Sequence, residues 1–103
     1  MDFSRTKKST AAVWGGEGDL NTKGAATSPI VNAVAFSYKD LDEWHQVSLG
    51  KADGFIYSRN TNPTVRVLEE KIRVLEGAED ATSFSTGMAA ISNTLFTFLT
   101  SGK

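Results

Sequence analysis

The stretch that most constrains this chain is Ala81-Thr82-Ser83-Phe84-Ser85-Thr86-Gly87, followed by Met88, Ile91, Leu95 and Leu99 at helical spacing. Small and aromatic residues over 81–84 predict a short buried strand. Ser85-Thr86-Gly87 predicts a tight turn, and the apolar period then predicts a helix that Gly102 ends. Strand, small-residue turn and helix form the first half of a βαβ unit. Such a unit needs a parallel strand to receive its helix, and a lone strand exposes both edges. These residues are therefore expected to be part of a larger fold.

Upstream, Asn62 is a good helix cap and Pro63 suits the first helical position. Val65, Leu68, Ile72 and Leu75 recur on one face, and Gly77 closes the helix. Glu69 stands four residues before Arg73, a favourable spacing for an ion pair. A shorter helix is expected after Asp40, with Glu43 completing a capping box and Leu41, Trp44 and Val47 on one side. Between Trp14 and Asn32, four glycines and a proline interrupt any helical period, so this region reads as an extended arm. Its apolar anchors, among them Ile30, Val31, Val34 and Phe36, argue against disorder.

Composition removes several classes of function. The 103 residues carry a formal charge of −1, which offers no basic excess for nucleic acid. No run of about 18 apolar residues is present to span a membrane, and the polar opening leads into no signal core. The expectation is a soluble, cytoplasmic chain. Cysteine is absent and His45 is the one histidine, so thiolate and imidazole metal sites have little support.

Two constellations are candidates for binding a phosphate. At Ser85-Thr86-Gly87-Met88, the first amides of a helix point outward at the positive end of its dipole, and a glycine allows close approach of an anion. Most strand–glycine–helix turns hold no ligand, so this motif alone is weak, and the Met88 side chain is expected in the core, with its amide still available to the site. At Tyr57-Ser58-Arg59-Asn60-Thr61-Asn62-Pro63-Thr64, an extended backbone would project Tyr57 and Arg59 to one side. A phenol and a planar guanidinium would then converge on phosphate oxygens. On spacing alone, Arg59 could as well pair with a surface carboxylate while Tyr57 packs on the arm. Gly15-Gly16-Glu17-Gly18 lacks the third glycine of a dinucleotide fingerprint, and the acidic cluster at Asp40, Asp42 and Glu43 reads as a solvated first turn.

The two motifs, in this order, resemble the amino-terminal part of the Cys/Met-metabolism pyridoxal-phosphate enzymes. That family includes the cystathionine γ-synthases and lyases, the methionine γ-lyases and the O-acylhomoserine sulfhydrylases. Gly15-Gly16, Lys23-Gly24-Ala25, Pro29-Ile30 and Phe36 extend the resemblance over nearly the whole chain. It implies an α/β architecture: an amino-terminal arm and short helix over 1–62, then the start of an aminotransferase-like large domain over 63–103. It further implies pyridoxal 5'-phosphate as cofactor. The amides of Gly87 and Met88 would bind its phosphate within one subunit, and Tyr57 and Arg59 would reach the phosphate held by a neighbouring subunit. A dimer would be the smallest active unit, with a tetramer common. The implied activity is elimination at the β or γ carbon, or γ-replacement, on sulfur-containing or O-acylated amino acids.

Two departures bear on that reading. None of Lys7, Lys8, Lys23, Lys39, Lys51, Lys71 or Lys103 stands in the family's Schiff-base motif, so no catalytic residue is assigned in this chain. Ile56 is apolar where some relatives carry an acid, which leaves substrate choice open. The other class open to these residues is a non-catalytic interaction or regulatory module that keeps the phosphate and subunit-contact motifs.

Overall fold

The computed structural model describes residues 5–17 and 24–101. Among them are four helices: α1 (Lys8–Trp14), α2 (Leu41–Ser48), α3 (Pro63–Glu76) and α4 (Gly87–Phe98). α3 is built as its sequence dictates. The Asn62 side chain accepts a hydrogen bond from Thr64 N at 2.8 Å, Pro63 opens the first turn, and Gly77 closes the helix in the left-handed region at φ 67°. α2 also begins as expected, with Asp40 Oδ1 accepting from Glu43 N at 2.7 Å. Its apolar side finds no core, however: no residue of α2 is buried, and Leu41 is 76% exposed.

α1 falls inside the region read as arm, where no helix was expected. Lys7 gives it no side-chain cap, and a seven-residue helix has little stability of its own. Packing against α3 supplies what local sequence does not. Ala11 and Val67 are buried at that contact, and Gly15-Gly16 lets the end of α1 approach α3 closely. A Cβ on Gly15 would lie 2.8 Å from Ala11 O and 3.4 Å from Lys71 Cα. One on Gly16 would lie 3.1 Å from Glu70 Cβ. These two glycines serve helix packing.

A clasp reinforces the junction. Lys71 Nζ donates to Val13 O and to Glu17 Oε1, both at 2.7 Å, so one ammonium holds a terminal carbonyl of α1 and an acid just beyond it. Glu17 Oε2 accepts from Ser28 N at 2.7 Å, which ties in the next part of the arm. The Lys71 and Ser28 hydrogen bonds hold the Glu17 carboxyl down at about 2.

The strand expected over 81–84 does not form, and the described residues display no sheet. The α/β architecture is therefore not displayed by these residues. The cause is the non-local character of a strand: it needs a neighbour to pair with, and none of the described residues pairs with this segment. Instead the segment runs past α3, where Ser83 N and Oγ donate to Glu69 Oε1 at 2.8 and 2.9 Å. The expected Glu69–Arg73 pair does not form; Arg73 forks onto Glu70 through Nε at 2.8 Å and Nη2 at 2.7 Å. The Glu70–Arg73 pair lowers the Glu70 pKa and raises that of Arg73.

α4 packs on no other described helix. Met88, expected in the core, is 69% exposed, and Phe96 is 82% exposed. The helix ends at Phe98 with Leu99 as its extended cap, while the expected stop at Gly102 lies outside the described residues. The accessible surface of 8413 Å² is about one and a half times that of a compact monomer of this size. The radius of gyration, 16.1 Å, likewise exceeds the ~13 Å of a compact 100-residue domain.

Candidate functional site

Tyr57 and Arg59 lie at the end of two chain segments that run side by side. Tyr57 forms an isolated antiparallel bridge with Ala35, and Phe36 N donates to Ile56 O at 3.0 Å while Ser58 N donates to Val34 O at 2.8 Å. The chain then turns: Asn60 N and Thr61 N both donate to Tyr57 O, at 2.9 and 3.1 Å. Residues 57–59 are thus not extended as the period-two reading supposed. The turn nevertheless brings the two side chains together, with the Arg59 guanidinium carbon 5.0 Å from the centroid of the Tyr57 ring.

A cation above a phenol face is favourably placed, and guanidinium N–H groups are good donors to an oxyanion. Among the described residues Arg59 has no carboxylate partner, and the Tyr57 hydroxyl has no hydrogen bond. The surface ion pair that spacing also allowed for Arg59 is therefore not formed among them.

Gly87 and Met88 open α4. Thr86 caps the helix by accepting from Ala89 N at 3.1 Å, and Ala90 N donates to Thr86 O at 3.2 Å. The amides of Gly87 and Met88 precede these and have no acceptor among the described residues. Apart from its chain neighbours and the backbone of its own helix, no heavy atom lies within 4 Å of where a Gly87 Cβ would stand. The donors are thus both unengaged and approachable. No hydrogen bond, ion pair or ring contact joins Tyr57 or Arg59 to Gly87 or Met88, so the described chain presents two separate halves.

Sequence reasoning passed over the side chains that hold the first half. The Tyr38 hydroxyl donates to Phe55 O at 2.6 Å and accepts from Phe55 N at 3.0 Å. The buried Asn62 amide donates to Val31 O at 3.1 Å and Ser58 Oγ at 3.0 Å. The cap role of Asn62 is local, but its bond to Val31 O reaches back thirty-one positions, which no local pattern announces.

The residues present suit a phosphate ester: one guanidinium, one phenol and two helix-end amides, all donors and all without internal acceptors. No group of three or more metal-ligating side chains occurs among the described residues, and no described helix is long and apolar enough to cross a membrane.

The family described as Cys/Met metabolism PLP-dependent enzyme matches residues 9–103, and the chain belongs to that family. It is 34% identical over 101 residues to an L-methionine gamma-lyase of Porphyromonas gingivalis, covering 98% of this chain and 25% of that protein. It is 37% identical over 101 residues to a canavanine gamma-lyase of Pseudomonas canavaninivorans, with the same coverage of each. Over 53 residues, 52% of this chain and 13% of the relative, it is 49% identical to an O-succinylhomoserine sulfhydrylase of Pseudomonas aeruginosa. The chain spans about a quarter of the length of the first two relatives.

Proposed function

We propose that these residues supply the phosphate-anchoring and subunit-contact portion of a pyridoxal-phosphate enzyme acting on sulfur-containing or O-acylated amino acids by β/γ-elimination or γ-replacement. The observation that carries this reading is the pair of unengaged donor sets, Tyr57 with Arg59 and the amides of Gly87 with Met88, inside a family match covering residues 9–103. Residues 1–62 form the arm and short helix that contact a neighbouring subunit, and 63–103 open the cofactor-binding α/β domain. In that domain 81–84 gains the strand neighbours that it lacks here, and other polypeptide covers the apolar residues of α4.

Bound pyridoxal phosphate supplies an electron sink for negative charge developing at the substrate Cα. The contribution of this chain is to bind and orient. The Gly87 and Met88 amides hold phosphate oxygens at the positive end of α4, which favours an anion by roughly 0.3–1 kcal/mol. Arg59 and Tyr57 close on the remaining oxygens from the neighbouring subunit, each charge-assisted hydrogen bond contributing about 1.5–3 kcal/mol. The separation of the two halves within one chain supports that division of labour, with a dimer as the smallest active unit and a tetramer as the expected assembly. The compartment expected is the cytoplasm.

The test is to express the full-length enzyme containing these residues and follow cofactor absorbance and 2-oxo-acid release from L-methionine and O-succinylhomoserine. Cofactor binding with turnover of a sulfur-containing or O-acylated substrate is expected. A folded oligomer that binds no pyridoxal phosphate would overturn the reading.

A further inference from the structure

The turn that carries Tyr57 and Arg59 is held mainly by side chains. Among the described residues, segments 31–38 and 55–64 share two backbone–backbone hydrogen bonds, Phe36 N to Ile56 O and Ser58 N to Val34 O. The rest of the ladder is made by hydroxyls and one amide. Tyr38 closes one end on Phe55, while at the other end Thr64 Oγ1 accepts from Val31 N at 2.8 Å and Asn62 Nδ2 donates to Val31 O. Ser58 occupies the point between them. Its hydroxyl donates to Ala33 O and accepts from Asn62 Nδ2 at 3.0 Å, so the residue is bonded through backbone and side chain to the facing segment.

Ser58 is also the residue between Tyr57 and Arg59. Its neighbours are exposed and reach outward, whereas Ser58 is half-buried and bonds inward. We propose that Ser58 is a positioning residue: its hydroxyl, locked between Ala33 O and Asn62 Nδ2, sets the direction in which the flanking phenol and guanidinium meet a phosphate. This rests on the phosphate reading above and adds to it the residue through which the pair is aimed. Loss of the hydroxyl leaves the turn's own bonds from Asn60 N and Thr61 N to Tyr57 O in place. The loop therefore still forms, but Ala33 O loses its donor and Asn62 one acceptor, and the orientation of the pair broadens.

The experiment is a titration of full-length apoenzyme with pyridoxal phosphate, read by absorbance and fluorescence, with thermal melting of each apo variant alongside. Ser58→Ala is expected to raise the cofactor Kd about tenfold, and Ser58→Thr, which restores the hydroxyl, to bring it within about twofold of the parent. In an Arg59→Ala background the Ser58→Ala penalty is expected to shrink below about threefold, because the residue acts through its neighbour. A parent-like Kd for Ser58→Ala, or an undiminished penalty in the Arg59→Ala background, would overturn the proposal. If Arg59→Ala alone leaves the Kd unchanged, the underlying phosphate reading fails, and the positioning role with it. Should Ser58→Ala not fold, Ser58→Cys keeps the size with a weak donor, and the same outcomes decide.

Discussion

The guanidinium of Arg59 lies over the ring of Tyr57, 5.0 Å from its centroid, at a turn that begins on Tyr57 itself. The contact restrains a long cationic side chain before any ligand arrives, so less rotational freedom is lost on binding. Lysine at position 59 keeps the charge but not the planar fork of donors. Arg59→Lys in the full-length enzyme is therefore expected to weaken pyridoxal-phosphate binding about tenfold or more, and Arg59→Ala further still. Equilibrium titration of the apoenzyme checks this, and equal affinities for Arg59→Lys and the parent would contradict the role given to the guanidinium fork.

Tyr57→Phe separates the ring from its hydroxyl. The phenyl face still supports Arg59, so what the change would remove is the hydrogen bond that the proposed site gives the phenol with the phosphate. The cofactor Kd is expected to rise by about tenfold, the equivalent of roughly 1.4 kcal/mol, with little change in melting temperature of the apo form. A large fall in apo stability would instead mark the hydroxyl as structural.

Arg59 and the α4 amides make no contact within one chain, and this separation yields a test of assembly. An Arg59→Ala subunit and a subunit lacking the Schiff-base lysine should each be nearly inactive alone. Co-refolded, they form mixed dimers in which one of the two sites has both halves intact, and part of the activity should return. Verified hybrids without recovery would place Arg59 in the site of its own subunit.

Gly87 offers a cleaner separation of binding from folding than most glycines. Apart from its chain neighbours and its own helix backbone, an added Cβ meets nothing within 4 Å, and the residue opens a helix, where side chains are readily accommodated. Gly87→Ala and Gly87→Val should therefore leave apo stability close to the parent while weakening cofactor retention, more for the branched side chain. A parent-like cofactor Kd for Gly87→Val would remove that amide from the site.

What could be read from the residues alone follows the range of the forces involved. Caps, helix starts and stops depend on neighbours two to four positions apart, so Asp40, Asn62, Pro63 and Gly77 act as their sequence context predicts. The strand at 81–84 was inferred from composition, yet pairing depends on a distant partner, and here Glu69 takes Ser83 instead. α1 was invisible for the converse reason: its capping is poor, and Ala11, Gly15 and Gly16 matter only against Val67 and Lys71 of α3. The association of Tyr57 with Arg59 was legible, though it arises from a turn instead of an extended run. The inward-facing hydroxyl of Ser58 was not, because its acceptor is Ala33, twenty-five residues earlier.

The clasp between Glu17 and Lys71 has a defined pH signature. Hydrogen bonds from Lys71 and Ser28 lower the Glu17 pKa from 4.5 to about 2 in the folded chain. A carboxyl whose pKa is depressed by folding adds stability that is fully present above its unfolded pKa and is lost as pH falls through the folded value. The clasp should thus be intact above about pH 4.5 and weaken progressively toward pH 2. Glu17→Gln removes the titrating group and the charge, and Lys71→Met removes the donor that also holds Val13 O. Hydrogen exchange of the amides in 8–17, followed by mass spectrometry from pH 6 to pH 3 with correction for intrinsic rates, reads the arm directly. Both variants are expected to exchange faster than the parent at pH 6, with the Glu17→Gln difference narrowing as the pH is lowered. A Glu17→Gln difference that stays constant across that range would show that the carboxylate's charge does not hold α1 against α3.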